Sequence, residues 1–436
     1  MVRLTGSISR LNTKKILVVG DLMLDTYTIG KVKRISPEAP VPVLQVIKEE
    51  RRPGGAGNVI LNLVSLGAEV RVIGRVGNDS SGNLLKTSLE QENVDVCGLF
   101  IQSDFSTPMK NRVIADNQQI VRVDYEQVTP IPELLEEQII LSLPQLMKDI
   151  SAIAISDYGK GFLSRTLLSA VIDYAKDKKI PVITDPKGVD FTKYQGTTII
   201  KPNLSEAYAA AGLTADASLD LAAHKILQLA NAEMLMITRS ENGISVFERS
   251  GERHDFPVKA HEVKDVTGAG DTVLAILTYA TANGLCIKEI SQLANVAAGM
   301  AIERLGCARI SLSDLARRLL EIDVVNKVFD KEHLLPLKEA LRGREYTLLS
   351  LAGTEGMTSV IFSAIHNLTK DTNKDLVIYL RDVKPEEEFV NLLASIQGVK
   401  FIVIHSKDLA DIYAIAPPTE IYVIEHGKLS NQWCPA

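Results

Sequence analysis

The stretch Asp265-Val-Thr-Gly-Ala-Gly-Asp-Thr272 sets a carboxylate immediately behind two glycines that flank an alanine. Glycines at that spacing let the backbone approach a phosphate with no side chain in the way. The apolar run Val273 to Tyr279 reads as a buried helix, so the amides of Gly268, Ala269 and Gly270 would sit at a helix N-terminus with its partial positive charge. That is an anion hole. Asp271, in the first turn, would accept a proton from an attacking hydroxyl while those amides steady a phosphoryl group in transfer. The competing reading of the same residues is an ordinary loop closed by an N-cap. No G-x-x-x-x-G-K-[ST] occurs, which excludes the P-loop manner of holding phosphate; nor is there an H-E-x-x-H or comparable ligand cluster, the seven histidines being scattered.

A chain of 436 residues exceeds the usual single-domain size, so two domains are expected, and 46% apolar residues suffice for a core. A net charge of -6 without a long Lys/Arg run argues against nucleic-acid binding. Cys97, Cys286, Cys307 and Cys434 lie far apart without C-x-x-C spacing, so they are read as buried thiols in a reducing cytosol. No apolar stretch of about 20 residues appears, and the expectation is a cytoplasmic protein without a membrane partner.

The elements that must position Asp271 alternate along the chain. Ile16 to Val19 is a β-branched run stopped by Gly20-Asp21, the pattern of a buried parallel strand ending where ligands bind. Asp21 and Asp25 lie beyond it and could accept from sugar hydroxyls or simply form turns. Thr26 to Val46, with Pro37, Pro40 and Pro42, predicts an edge strand or small separate sheet, suited to covering a substrate or pairing two subunits. Arg51-Arg-Pro-Gly-Gly-Ala-Gly-Asn58 then opens a helix through Leu66; Gly54 and Gly55 permit close approach of a ligand and Asn58 offers donor and acceptor. Met109 to Val123 alternates as paired strands, and Lys110, Arg112 and Arg122 there either reach a substrate phosphate or are merely solvated.

From Ser151 the rhythm is regular. Strands ending at Asp157, at Asp185-Pro-Lys187 and at Pro202-Asn203 share one edge of a parallel sheet, so Asp157, Lys187, Asn203 and Glu206 are expected to converge near Asp271. Asn203-Leu-Ser-Glu206 also has the form of a capping box. Met234 to Thr238 followed by Arg239-Ser-Glu-Asn-Gly243 repeats strand, polar end and glycine turn, and Leu293 to Arg304 is an alanine-rich helix.

Taken together and in order, Gly54-Gly55 with Asn58, Asn203-Leu-Ser-Glu206 and Asp265 to Asp271 resemble the signatures of ribokinase-like (PfkB) sugar kinases. Val19-Gly-Asp-Leu-Met-Leu-Asp25, Arg34 to Pro42, Asn117-Gln-Gln119, Ser156-Asp-Tyr158, Asp185-Pro-Lys-Gly188 and Thr238-Arg-Ser240 narrow the likeness to the kinase half of the bacterial heptose-7-phosphate kinases and heptose-1-phosphate nucleotidyltransferases. The resemblance implies an α/β, three-layer ribokinase-like domain over residues 1–325 with a small β lid around 26–48 and 107–124. It further implies Asp271 as base with Gly268, Ala269 and Gly270 as the anion hole. Asn203, Glu206, Thr238, Arg239, Gly243 and Asn295 would serve ATP, Glu206 also holding Mg2+ through water. Asp21, Asp25, Gly54, Gly55 and Asn58 would face the sugar, with Lys110, Arg112 or Lys187 on its 7-phosphate. A monovalent cation such as K+ would assist near Asp265, and a homodimer is expected. The reaction implied is ATP-dependent phosphorylation of the heptose 7-phosphate at C1, giving the 1,7-bisphosphate for ADP-heptose and lipopolysaccharide core synthesis. Departures are Gly57 for a common alanine and Asp116 for a frequent arginine.

Residues 331–436 have the outline of a smaller, Rossmann-like cytidylyltransferase domain without its chemistry. The H-x-G-H that opens the first helix in such domains is replaced within Gly353 to Ile361, with Thr358 and Ile361 at the histidine positions. His366, His405 and His426 are isolated and cannot replace a pair one helical turn apart. A degenerate remnant without nucleotidyltransferase activity is expected; an unrelated α/β module is the alternative. Two other readings of the whole are a ribokinase-like kinase of another sugar, sugar phosphate or nucleoside, and a non-enzymatic nucleotide-sensing scaffold.

Overall fold

The computed structural model describes residues 7–8, 10–116, 118–258, 263, 265–304, 306–322, 327–329, 334–353, 356–370, 374–382, 385–404 and 417–432. The chain divides into two compact units, residues 11–311 and a second comprising 1–10 with 312–436.

The larger unit contains strands β1 (Lys15–Gly20), β2 (Leu22–Ile35), β3 (Pro42–Gly55), β4 (Glu69–Gly77), β5 (Asp95–Gln102), β6 (Met109–Ala115), β7 (Gln118–Tyr125), β8 (Ala152–Ser156), β9 (Val182–Asp185), β10 (Ile199–Ile200), β11 (Met234–Thr238), β12 (Ile244–Glu248) and β13 (Arg253–Phe256). Nine of them form one sheet in the order β13-β12-β11-β10-β9-β8-β1-β4-β5. It is parallel from β11 to β5, and β12 and β13 add on antiparallel. Strands such as β1 and β8 are continuous apolar runs because both faces are covered. Leu17, Val19, Ile153 and Ile155 face a cluster that includes Leu143, Leu168, Ala207 and Ile226, from four helices. On the opposite face the helices Ala56–Ser65 and Ala269–Ala282 pack on each other and on β1 and β8. The order reverses beside β1, so the carboxyl ends of β1 and β8 open a crevice of the kind that takes ligands.

The remaining strands make a second sheet, β3-β2-β6-β7, with β2 and β6 parallel and the outer pairs antiparallel. β2 starts beside the end of β1 and carries the chain outward, its burial falling from Leu22 to the exposed Ile35. β3 continues to Gly55, so the segment from Arg51 to Gly55, expected to open a helix, is strand; the helix starts only at Ala56. Pro53 is tolerated because β3 is an edge strand. Of the cysteines, only Cys307 among the described residues is buried. Cys97 on edge strand β5 and Cys286 at a helix N-cap are exposed, and Cys434 lies outside the described residues. No described helix is long and apolar enough to cross a membrane.

The second unit is a smaller α/β body. Its six-stranded sheet runs, by residues, 328–329, 399–403, 375–380, 346–351, 420–425, 428–432, parallel except for the last strand. From Tyr346–Leu351 onward the parallel strands follow a 3-2-1-4 order, that of doubly wound nucleotide-binding sheets. The helix Ser359–Leu368 that follows the first strand is capped by Thr358, whose hydroxyl accepts from the Ile361 N–H, and the Ile361 side chain is fully buried. The two positions that would carry histidines thus hold a cap and a core residue. A helix Leu334–Leu341 precedes this first strand, and His405 lies outside the described residues.

Candidate active site

Helix Ala269–Ala282 begins with Gly268 as its N-cap at φ 77°, a left-handed conformation suited to glycine. A Cβ there would also stand 2.6 Å from the Asn58 Nδ2. The amides of residues 268–270 lie at the positive end of the helix, and Asp271 follows in the same turn, buried at 4% exposure.

Both carboxylate oxygens of Asp271 are held. Asn58 Nδ2 donates to Oδ2 at 2.8 Å and the Tyr158 hydroxyl to Oδ1 at 2.6 Å. Asn58 is braced by Asn62, which donates to its carbonyl at 3.0 Å and accepts from the Ile310 N–H at 3.1 Å. Burial pushes the Asp271 carboxyl up to about 7; Tyr158 and Asn58 pull against it, Asp185 adds to it, and Lys201 opposes it. The Tyr158 hydroxyl is raised well above its ordinary value by burial and then by Asp271, so it stays a donor.

Two cavities meet at this turn. One of about 280 Å³ is lined by Gly268, Asp271, Tyr158, Asp25, Gly55, Cys307 and, along β6 and β7, Lys110, Arg112 and Arg122. The other, of about 510 Å³, is lined by Ala269 and Gly270 together with Thr238, Gly243 and Asn295 and apolar walls from Ile244, Val258, Val273 and Ile302. Buried Lys201 stands beside Gly270, with its Nζ 3.6 Å from where a Cβ would lie, and pairs with Asp185 at 3.0 Å.

The residues singled out in the sequence fall into distinct environments. Asp25 forms an ion pair with Arg112 at 2.6 Å, both largely buried, and a side chain on Gly54 would overlap that carboxylate. Asp21 accepts from the N–H groups of Tyr158 at 2.9 Å and Lys160 at 3.1 Å; burial, then the charge of Asp157, raises its carboxyl. Asp21 therefore shapes the loop that presents Tyr158. Lys110 faces Asp124 at 3.4 Å and Glu126 at 3.3 Å.

Asn203 and Glu206 form the full capping box of helix Leu204–Ala211. The other Glu206 oxygen binds Lys187 at 2.8 Å, an ion pair that raises the lysine. Lys187 is thus occupied there and does not line the smaller cavity. Arg239 braces its own turn, donating to the Asn242 carbonyl at 3.1 Å, and Asn295 donates to the Pro257 carbonyl at 3.0 Å. Asp265 accepts from the Thr267 and Gly306 N–H groups, each at 2.9 Å.

The expected convergence on Asp271 is differently composed. Asp157 is taken by Lys193 at 2.6 Å and the Tyr194 hydroxyl at 2.7 Å, and the groups acting on Asp271 are Asn58, Tyr158, Asp185 and Lys201. The sequence reading assigned no role to Tyr158, Asp185 or Lys201. Their signal was position: each stands at or just past the carboxyl end of β8, β9 or β10. One histidine outside the three judged isolated has acidic neighbours. Among the described residues His254 meets Glu248 and Glu252 on the β12–β13 hairpin, brought together by antiparallel pairing rather than by sequence spacing.

Residues 13–314 match the pfkB family of carbohydrate kinases. The chain is 41% identical over 409 residues to bifunctional protein HldE of Geobacter metallireducens, covering 90% of this chain and 84% of that one. It is 38% identical over 441 residues to the HldE of Helicobacter hepaticus, with 96% and 90% covered. Phosphofructokinase-2 from Escherichia coli, solved in complex with potassium, superposes with a TM-score of 0.61 at 19% identity over 71% of this chain and 99% of that one. Ribokinase from Arabidopsis thaliana, solved with ribose and ATP, gives 0.55 at 16% over the same shares. These likenesses establish the ribokinase-like fold, and the sequence match establishes that the chain belongs to the pfkB family of carbohydrate kinases.

Proposed function

We propose that this kinase transfers the γ-phosphoryl group of ATP to the C1 hydroxyl of D-glycero-D-manno-heptose 7-phosphate, for ADP-heptose and lipopolysaccharide core synthesis. The observation that carries the phosphotransfer is the meeting of the two cavities at residues 268–271, with a buried carboxylate on one side and a helix N-terminus between them. The larger cavity takes the nucleotide, its apolar walls on the base and the 268–270 amides on the phosphates. The smaller takes the sugar.

Asp271 accepts the proton of the acceptor hydroxyl as that oxygen bonds to the γ-phosphorus; the bond from phosphorus to the bridging oxygen breaks and ADP leaves. Lys201, beside Gly270, offers a positive charge to the same phosphate. Hard oxygen donors fit Mg2+ on this edge. Both oxygens of Glu206 already hold partners but keep spare lone pairs, so it suits an ion bound through water. When bound, the ion neutralises charge on the phosphates.

For the substrate phosphate, Lys110 is favoured over Lys187 because it lines the sugar cavity and Lys187 does not. Replacing Lys110 by Met is expected to raise KM for a sugar phosphate by about ten- to a hundredfold, one charged hydrogen bond's worth. KM for ATP is expected to stay unchanged in the same assay. The β2, β3, β6 and β7 sheet is proposed as the lid, and its exposed Ile35, Val46, Ile47, Ile120 and Val121 support pairing of two copies. The second unit is proposed to lack nucleotidyl transfer, since Thr358 and Ile361 serve the fold.

The test is incubation with heptose 7-phosphate, ATP and magnesium, with phosphorus NMR of the product. A new anomeric phosphate resonance beside the retained 7-phosphate is expected. Turnover of other sugars with none of this one would replace the acceptor.

A further inference from the structure

We infer that the Tyr158 hydroxyl is a positioning residue that holds Asp271 ionised and oriented for proton transfer, a role that rests on the phosphotransfer reading above. A carboxylate removed from water with no donors would keep its proton and be no base. Asp271 is so removed, and among the described residues two side-chain donors reach it, one per oxygen. Each oxygen retains a further lone pair. An acceptor hydroxyl entering the sugar cavity can therefore bind Oδ1 while Tyr158, which lines the same cavity, still donates to it.

The two donors are supported differently. Asn58 sits on a helix and is locked by Asn62. Tyr158 sits on a loop, yet that loop is over-determined. Asp21 accepts from its backbone N–H at 2.9 Å, Asp157 accepts from the Gly159 N–H at 2.7 Å, and Arg75 Nη2 donates to the Lys160 carbonyl at 2.9 Å from a buried position. The other ionisable groups acting on Asp271 are Asp185, which raises it, and Lys201, which lowers it; Asp25, Arg112 and Cys307 line the same cavity. None of these donates a hydrogen bond to the carboxylate, so removing the tyrosine oxygen takes from Oδ1 its side-chain donor among the described residues.

The experiment compares wild type with Tyr158→Phe, which keeps the ring and its packing. In protein labelled with carbon-13 aspartate, the Asp271 carboxyl resonance, assigned by its loss in Asp271→Asn, is titrated without substrate. Its midpoint is expected to move up by about one to two pH units in Tyr158→Phe. The acid limb of kcat/KM is expected to move by the same amount. An unmoved midpoint would overturn the inference, whether the rate stayed the same or fell equally at every pH. A moved carboxyl midpoint in a protein that phosphorylates no sugar would keep the tyrosine contact and retire the phosphotransfer reading instead. Asn58→Asp, which places a second carboxylate against Asp271, serves as a control that the resonance responds, and it too is expected to titrate higher.

Discussion

Asp271→Asn is expected to lower kcat by about 10²- to 10⁴-fold, the contribution of a positioned general base, while ATP still binds. The amide keeps the size of the carboxyl and can be held by Tyr158, so the helix start and its amides stay in place. Equilibrium binding of ATP should be near wild type, because the cavity proposed for it is lined by Ala269 and Gly270 and not by residue 271. An unchanged rate would exclude Asp271 as the base. The wild-type enzyme should lose activity as pH falls through about 7, since the base must be ionised and its carboxyl is held up to about 7 by burial.

Stability should move the opposite way. A carboxyl raised in the folded state stabilises the fold fully at pH values below its ordinary 3.8, and that contribution is lost as pH rises through about 7. At pH 8 the asparagine variant, which has no buried charge, should therefore melt above wild type. Loss of rate with gain of stability separates a chemical role from a structural one.

The second large effect is on stability. Arg112→Leu leaves Asp25 buried without its cation, and breaking a buried pair from one side costs about 3–5 kcal/mol. The two side chains are only 11% and 5% exposed and meet at 2.6 Å. The Cys307 thiol also donates to that carboxylate, at 3.7 Å, but is too weak a donor to substitute. Urea unfolding should show the midpoint fall, and Arg112→Leu with Asp25→Leu should cost less than the two single changes summed. Additive costs would mean that the pair is not coupled.

Much of the larger unit was legible because its strands are buried on both faces. Ile16 to Val19, Ala152 to Ser156 and Met234 to Thr238 read as unbroken apolar runs bounded by polar residues, and each is a strand of the central sheet. The Asn203 to Glu206 capping box was equally plain, since its signal is local. What could not be read depended on distance in the chain. Asn58 and Tyr158 lie 213 and 113 residues from Asp271, and only the folded sheet edge shows that both donate to it. Lys187 and Asp157 looked as available as any strand-end charge, and only the structure reveals Glu206, Lys193 and Tyr194 as their partners. The strand running to Gly55 was missed because glycines before a helix resemble a loop, and its pairing with β2 is a tertiary fact.

The single turn that bears both the amide cradle and Asp271 has a further consequence. In the proposed reaction these two parts cannot be drawn apart, so no movement of theirs can idle the enzyme when ATP arrives first. Thrift toward ATP must then come from the opposite wall. Water trapped there would meet the same carboxylate, and in the proposed reaction wasteful hydrolysis is restrained by how poorly a lone water molecule is aimed without a sugar to fill the space between Arg112 and Tyr158.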